Sequence, residues 1–140
     1  MAGDRFVVIV GCGRLGSILA NRLSLSGNYV VMIDNDEAAF SKLLPEYSGF
    51  TVQGDATELD VLRQAHVERA DLLIAATRED NVNLMVAQVA RVEFGVRRVI
   101  ARVNEPMRED VYRILSIETV SPTSVAVDLF LRLAEEEDPR

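Results

Sequence analysis

A doubly wound α/β fold with six parallel strands is predicted by three observations on this chain of 140 residues. Strand-length apolar runs alternate with helix-period segments from one end to the other. The connections between them are short, as right-handed crossovers between parallel strands require. Aromatic residues make up only 6% of the chain and tryptophan is absent, so the core must be aliphatic, which suits strands buried on both faces.

Each element follows from its own local pattern. Phe6–Val10 (FVVIV) reads as the first strand. Apolar residues at Leu15, Ile18, Leu19, Leu23 and Leu25 mark a helix over residues 15–26, stopped by Gly27. Residues 29–33 (YVVMI) make a second strand, residues 36–44 a short helix closed by Pro45, and Phe50–Gln53 a short third strand. Thr57, with Asp60 three residues later, reads as the N-cap of a helix running to residue 65. Residues 71–76 (DLLIAA) form the fourth strand, and Thr77 and Asp80 open a longer helix to about residue 94, ended by Gly95. The fifth strand spans 98–103, a helix 106–115, and the sixth strand Glu118–Val120. Ser121 and Pro122 then start a last helix over about 122–136, with Ser at the cap and Pro at the first position. The whole of 1–140 reads as one domain, with the expected strand order 3-2-1-4-5-6.

The first strand runs into Gly11-Cys12-Gly13-Arg14-Leu15-Gly16 and then an amphipathic helix, the full context of a Rossmann-like dinucleotide fingerprint. Gly11 permits the tight turn, Gly13 lets a pyrophosphate approach the backbone, and Gly16 lets the helix pack closely on the sheet. The helix N-terminus offers free N–H groups and a partial positive charge to phosphates. Asp34 ends the second strand, 18 residues beyond Gly16, where a carboxylate can accept hydrogen bonds from ribose hydroxyls. It would also repel a 2′-phosphate, so NADP is disfavoured. Gly54-Asp55-Ala56-Thr57 follows the third strand at the adenine edge, and Ala76-Thr77 follows the fourth beside the switch point. Asp55 has a second reading, that of shaping the turn before Thr57. Arg14 either folds over the phosphates, reaching a third one, or is an exposed residue at a helix start. Cys12 reads as a small filler of the turn.

Charge and composition exclude several classes. The net charge is −7, from 22 acidic and 15 basic residues, and no basic run is present for nucleic acid to meet. A single cysteine excludes an internal disulfide and a cysteine-based zinc cluster. No apolar run approaches the roughly 20 residues of a membrane span. No signal-peptide pattern is present, so the expectation is a soluble, cytoplasmic protein that could dock on a membrane partner.

Catalytic chemistry finds little support. A dehydrogenase needs a base or proton donor beside the nicotinamide and usually a second domain. The Tyr-x-x-x-Lys pair of single-domain dehydrogenases is missing, because the only lysine is Lys42 and position 38 is Ala. His66, the only histidine, falls near the end of the third helix, away from the predicted crevice. Glu79, Asp80, Asn81 and Asn83 read as a charged, solvated first helical turn in preference to an acidic metal site. The expectation is a binding protein and not an enzyme. The alternative is a minimal NAD-dependent oxidoreductase, or the cofactor half of one. A redox-sensing repressor is disfavoured because no helix-turn-helix segment is left over.

Taken together, GCGRLG, VVMIDND at 30–36, VQGDAT at 52–57, LLIAATREDNVN at 72–83, VIARVNEP at 99–106 and VSPTSVA at 120–126 resemble the TrkA-N domain family, also called RCK or KTN. This family comprises cytosolic regulatory modules of bacterial potassium transporters and channels. The resemblance implies a ligand sensor in which NAD(H) or ADP/ATP binds the crevice and shifts an assembly that controls potassium flux through a membrane partner. It implies Gly11, Gly13 and Arg14 at the phosphates, Asp34 and Asn35 at the ribose, and Asp55 and Ala56 near the adenine. Ala76 and Thr77 would line the phosphate or nicotinamide side, with Arg102 near them on the dimer face. It also implies a homodimer or larger ring-like homo-oligomer, packed through the last helix. Val125, Leu129, Phe130 and Leu133 give that helix an apolar stripe, although a stripe folded onto its own sheet would look the same. Many relatives continue into a C-terminal domain, and the ending at Glu135–Arg140 fits either a stand-alone subunit or a cut made in a longer protein.

Overall fold

The computed structural model describes residues 3–136. Its six strands are β1 (Phe6–Val10), β2 (Tyr29–Asp34), β3 (Phe50–Gln53), β4 (Leu72–Ala75), β5 (Arg98–Arg102) and β6 (Glu118–Val120). They form one parallel sheet in the order 3-2-1-4-5-6. Five α-helices connect or follow them: α1 (Arg14–Leu25), α2 (Leu59–Gln64), α3 (Asp80–Val92), α4 (Glu109–Ile114) and α5 (Pro122–Glu135). This is the Rossmann-like arrangement that the alternation of elements predicts.

The core divides by strand parity. Val7 and Ile9 point into one apolar layer with Ala20 of α1, Val30 and Met32. Val8 and Val10 point into the other, with Leu62, Leu73, Val86, Ala87 and Ala90. Side chains on a strand alternate faces, so β1 must be apolar throughout, and Val7, Val8 and Ile9 are all completely buried.

Several boundaries differ from those the sequence predicts, each for a local reason. Residues 36–44 form a 3₁₀ helix over Glu37–Lys42 and not a full α-helix. Asn21 pins its end to α1, donating to the Lys42 carbonyl at 3.3 Å and accepting from the Leu44 amide at 3.0 Å. Pro45 then forbids continuation. Thr57 is not an N-cap: its hydroxyl and amide both turn back to Asp55, and α2 starts two residues later after Glu58. The long helix likewise begins at Asp80 after Glu79, since Thr77 is held by other bonds. The predicted helix at 106–115 opens as a 3₁₀ turn, Pro106–Arg108, before α4. At α5 the predicted cap is present, with Ser121 Oγ accepting from the Ser124 amide at 3.2 Å and Pro122 in the first turn.

Helix α5 has no buried residue. Its apolar stripe does not fold back on the sheet: Phe130 is 74% exposed and Val125 59%. The last residues of the chain, 137–140, on which part of the expected ending falls, lie outside the described residues. Among the described residues no helix is long and apolar enough to cross a membrane.

Candidate functional site

The residues predicted for the nucleotide site lie at or just beyond the C-terminal ends of strands or, for Arg14, Leu15 and Gly16, in the first turn of α1, and backbone hydrogen bonds stitch those strand ends together. The Gly54 amide donates to the Asp34 carbonyl at 3.0 Å, joining the chain after β3 to the end of β2. The Gly11 amide donates to the Ile33 carbonyl at 2.8 Å, and the Ala76 amide to the Val10 carbonyl at 2.8 Å. The turns after β1, β2, β3 and β4 therefore lie together where the predicted crevice falls, at the strand ends where the order reverses between β1 and β4.

The three glycines of the turn have three different environments. Gly11 has φ +104°, and a Cβ there would lie 2.9 Å from the Thr77 amide nitrogen, so both conformation and space require glycine. A Cβ on Gly16 would lie 1.8 Å from the Gly11 carbonyl oxygen. Around Gly13 a Cβ would meet nothing within 4 Å. Two glycines are packed against backbone and the middle one faces open space, the division a bound pyrophosphate needs. Gly13 is also the N-cap of α1, and the helix has neither a side-chain cap nor an acidic residue in its first turn. Its first amides have no intrahelical acceptor and remain available to an anion. Leu15 is partly buried and Arg14 exposed at this helix start.

Asp34 does more than end β2. One carboxylate oxygen accepts from the Cys12 amide at 2.8 Å and the other from the Asp36 amide at 2.8 Å, which ties the glycine turn to β2. Each oxygen keeps a further lone pair for a ligand hydroxyl. The Cys12 side chain is fully buried in the α1-side apolar layer. Burial, with the nearby Asp34 charge and against Lys42, raises the thiol pKa, so the sulfur stays protonated. Asn35 is exposed next to Asp34.

Asp55 adopts the turn-shaping role. Its Oδ1 accepts from the Thr57 hydroxyl at 2.7 Å and the Thr57 amide at 2.9 Å, and these bonds lower its pKa. Ala56 is buried beside it.

The largest departure from the sequence reading lies at the start of α3. Glu79 and Asn81 are exposed as expected, but Asp80 and Asn83 form a buried polar plug, 7% and 0% exposed. Asp80 accepts from the Asn104 amide at 2.6 Å, the Asn104 side chain at 2.9 Å and the Glu105 amide at 3.0 Å. Burial alone would raise the Asp80 pKa, but the Asn104 and Glu105 donors, with Arg108 nearby, hold it below the usual carboxylate value. Tyr112, also buried, donates to the Asp80 carbonyl at 2.6 Å. Asn83 accepts from the Thr77 amide at 2.9 Å and hydroxyl at 2.7 Å. These residues were read only as a polar run, although their spacing with Val86, Ala87 and Ala90 puts both on the inward stripe of α3. Among the described residues there is no group of three or more potential metal ligands.

Arg102 ends β5, and its Nε is a buried side-chain nitrogen with no hydrogen-bond partner. Leaving such a donor unsatisfied costs about 1–3 kcal/mol, more for a charged group, unless something not of this chain meets it. His66 lies at the opposite end of the strands, bordering a hollow with Phe6, Tyr29 and Phe50 at the strand starts. A second hollow, lined by Arg5, Asp71 and Arg98 among others, is at that same end, and neither adjoins the glycine turn.

The fold and the motifs have counterparts among known proteins. The Trk system potassium uptake protein TrkA of Streptomyces coelicolor is 41% identical over 126 residues, covering 90% of this chain and 56% of that protein. The chain thus spans a little over half the length of that curated relative. The TrkA-N domain of the inner membrane protein ybaL from Escherichia coli superposes with a TM-score of 0.83 at 23% identity, over 94% of this chain and 97% of that one. The GsuK channel has been solved bound to NAD and bound to ADP, with TM-scores of 0.79 and 0.78 at 29% identity. Each match covers 94% of this chain, and 23% and 34% of those chains respectively. The model of the TrkA-N domain matches residues 7–122, and the chain belongs to that family.

Proposed function

We propose that this chain is a cytosolic regulatory module that binds one NAD(H) or ADP/ATP per chain and thereby controls potassium transport through a membrane partner. The observation that carries the reading is the glycine turn: Gly11 and Gly16 are packed against backbone while Gly13 stands open before an uncapped helix end. In this reading Gly11, Gly13 and the first α1 amides hold phosphates, with Cys12 and Leu15 shaping the turn and Arg14 neutralising charge. Asp34 and Asn35 take the ribose, Asp55 and Ala56 border the adenine, and Ala76, Thr77 and Arg102 line the far side. The NAD- and ADP-bound forms of the GsuK channel support an adenine nucleotide, and the name of the Streptomyces relative supports potassium uptake.

Regulation requires that the nucleotide favour one assembly geometry over another, since equal affinity for both shifts nothing. The exposed stripe of α5 supplies a surface for packing between copies in a homodimer or ring. The chain's own residues do no chemistry in this scheme.

Calorimetric titration with NAD⁺, NADH, NADPH, ADP and ATP tests it. Binding of the unphosphorylated riboses with NADPH rejected is the expected result. Binding by none of the five would refute the nucleotide reading, and steady consumption of NADH with a small carbonyl compound would replace the sensor with an oxidoreductase.

A further inference from the structure

We infer that Asn83 is the positioning residue of the crevice, clamping the chain leaving β4 to the end of β5 so that Thr77 and Arg102 form one rigid wall. The inference rests on the nucleotide reading above and adds a residue that makes no contact with the nucleotide in that reading.

The Asn83 amide is completely buried and fully used. Its oxygen accepts from the Thr77 amide and hydroxyl, and its nitrogen donates to the Thr77 carbonyl and the Arg102 carbonyl, both at 3.0 Å. The Thr77 N–H fixes which end of the amide is oxygen. The chain leaving β4 and the chain leaving β5, which sheet bonds hold only as far as the Ala76 and Val103 amides, are thereby joined through this side chain. An apolar residue at 83 would leave the Thr77 amide and carbonyl and the Arg102 carbonyl without these partners. What only an asparagine supplies is the matched donor pair and acceptor that bond the backbone of both loops.

Asp80, one helical turn earlier on α3, makes the same kind of bond to the next stretch of chain, at Asn104 and Glu105. Asn104 also donates to the Thr77 carbonyl, at 3.2 Å. The backbone from the Arg102 carbonyl to Glu105 is therefore fixed from α3, while the buried Nε of Arg102 has no partner. A donor held in place by its neighbours but left unpaired is arranged for an anion, and in the crevice that anion is a nucleotide phosphate.

Asn83 then acts on phosphate affinity through Arg102, and a double-mutant cycle reads this directly. ADP and adenosine are the probes, titrated into the full chain. Asn83→Ala is expected to weaken ADP binding about tenfold and adenosine less than about threefold, because adenosine does not engage the β5 side. In an Arg102→Ala background, the same Asn83 substitution should cost ADP less than about threefold. Additive losses in the cycle, equal losses for ADP and adenosine, or no loss at all would each overturn the positioning role. If Asn83→Ala does not fold, Asn83→Ser carries the cycle, its hydroxyl being too short to bridge both loops. A wild-type chain that binds neither probe overturns the nucleotide reading together with this inference. A wild-type chain that binds both, with additive losses, removes only the inference.

Discussion

The Cys12 amide nitrogen lies 2.8 Å from Asp34 Oδ2, so the middle of the glycine turn hangs on the carboxylate that ends the neighbouring strand. The other oxygen of the same group takes the Asp36 amide, which fixes how the chain leaves β2. One side chain therefore sets two sides of the crevice before any ligand arrives. A ribose placed at Asp34 would meet a carboxylate already oriented by two backbone donors, with little left to reorganise.

This dual role predicts two separable effects for Asp34→Ala. Stability should fall by about 1–3 kcal/mol, since two amides lose their acceptor, as urea denaturation would measure. The preference for NADH over NADPH should narrow as well, because the charge that repels a 2′-phosphate is gone. An unchanged NADH-to-NADPH affinity ratio would remove Asp34 from cofactor selection and leave it only its structural bonds.

Asp80 makes a prediction in pH. Its folded-state pKa is depressed: although burial raises it, the Asn104 and Glu105 donors and Arg108 outweigh that effect. In the unfolded chain the group returns to about 3.9. The unfolded state then binds more protons between the two values, so this contribution is complete above the unfolded value and disappears as pH falls through the folded one. Asp80→Asn should be less stable than wild type at neutral pH, and the two denaturation curves should converge in acid. Parallel losses across the whole acid range would show that the carboxylate charge is not what stabilises the 104–105 turn.

The sheet order and the glycine turn were legible in the sequence because both leave periodic marks: strand-length apolar runs, and glycines where backbone must pass close. Gly11 and Gly16 are read from spacing and found packed against backbone. The role of Asp55 stayed open in the sequence because one acidic residue before a Thr serves a turn or a ligand equally well; its bonds to Thr57 show the turn role and use only one carboxylate oxygen. The buried plug of Asp80 and Asn83 left a weaker mark, its place on the stripe of Val86, Ala87 and Ala90, masked by the polar residue types. Its partners, Asn104 and Tyr112, lie more than 20 residues away along the chain, and polar residues on a helix start ordinarily face water. The same limit applied to α5, whose stripe has one appearance whether it packs inward or stands exposed.

Standing exposed, that stripe predicts self-association. Contiguous apolar side chains on one helix, with Leu129 47%, Leu133 55% and Phe130 74% exposed, are the usual mark of a partner surface. Sedimentation velocity should show a dimer or larger species for the wild-type chain. Phe130→Glu should shift it to monomer without changing the urea midpoint seen for monomeric protein, because no residue of α5 is buried within the chain. A monomeric wild type at all concentrations would leave α5 without a copy of itself as partner.

The glycine turn gives the sharpest contrast, since two substitutions three residues apart should fail in opposite ways. Gly16→Ala puts a Cβ 1.8 Å from the Gly11 carbonyl oxygen, a backbone atom that cannot rotate away. Helix and turn must separate, at a cost of about 3 kcal/mol or more. Gly13→Ala meets nothing within 4 Å, and Gly13 has φ −82°, which any residue adopts. Its stability should change by no more than about 1 kcal/mol, the range for an N-cap position. Yet its methyl group would occupy the open space through which a phosphate reaches the backbone, so ADP affinity should drop at least about tenfold, or about 1.4 kcal/mol. Thermal denaturation and ADP titration of both variants separate the outcomes. If Gly13→Ala bound ADP as tightly as wild type, the open face of the turn would not be where phosphate lies, and the anion site would have to be sought at Arg102 alone.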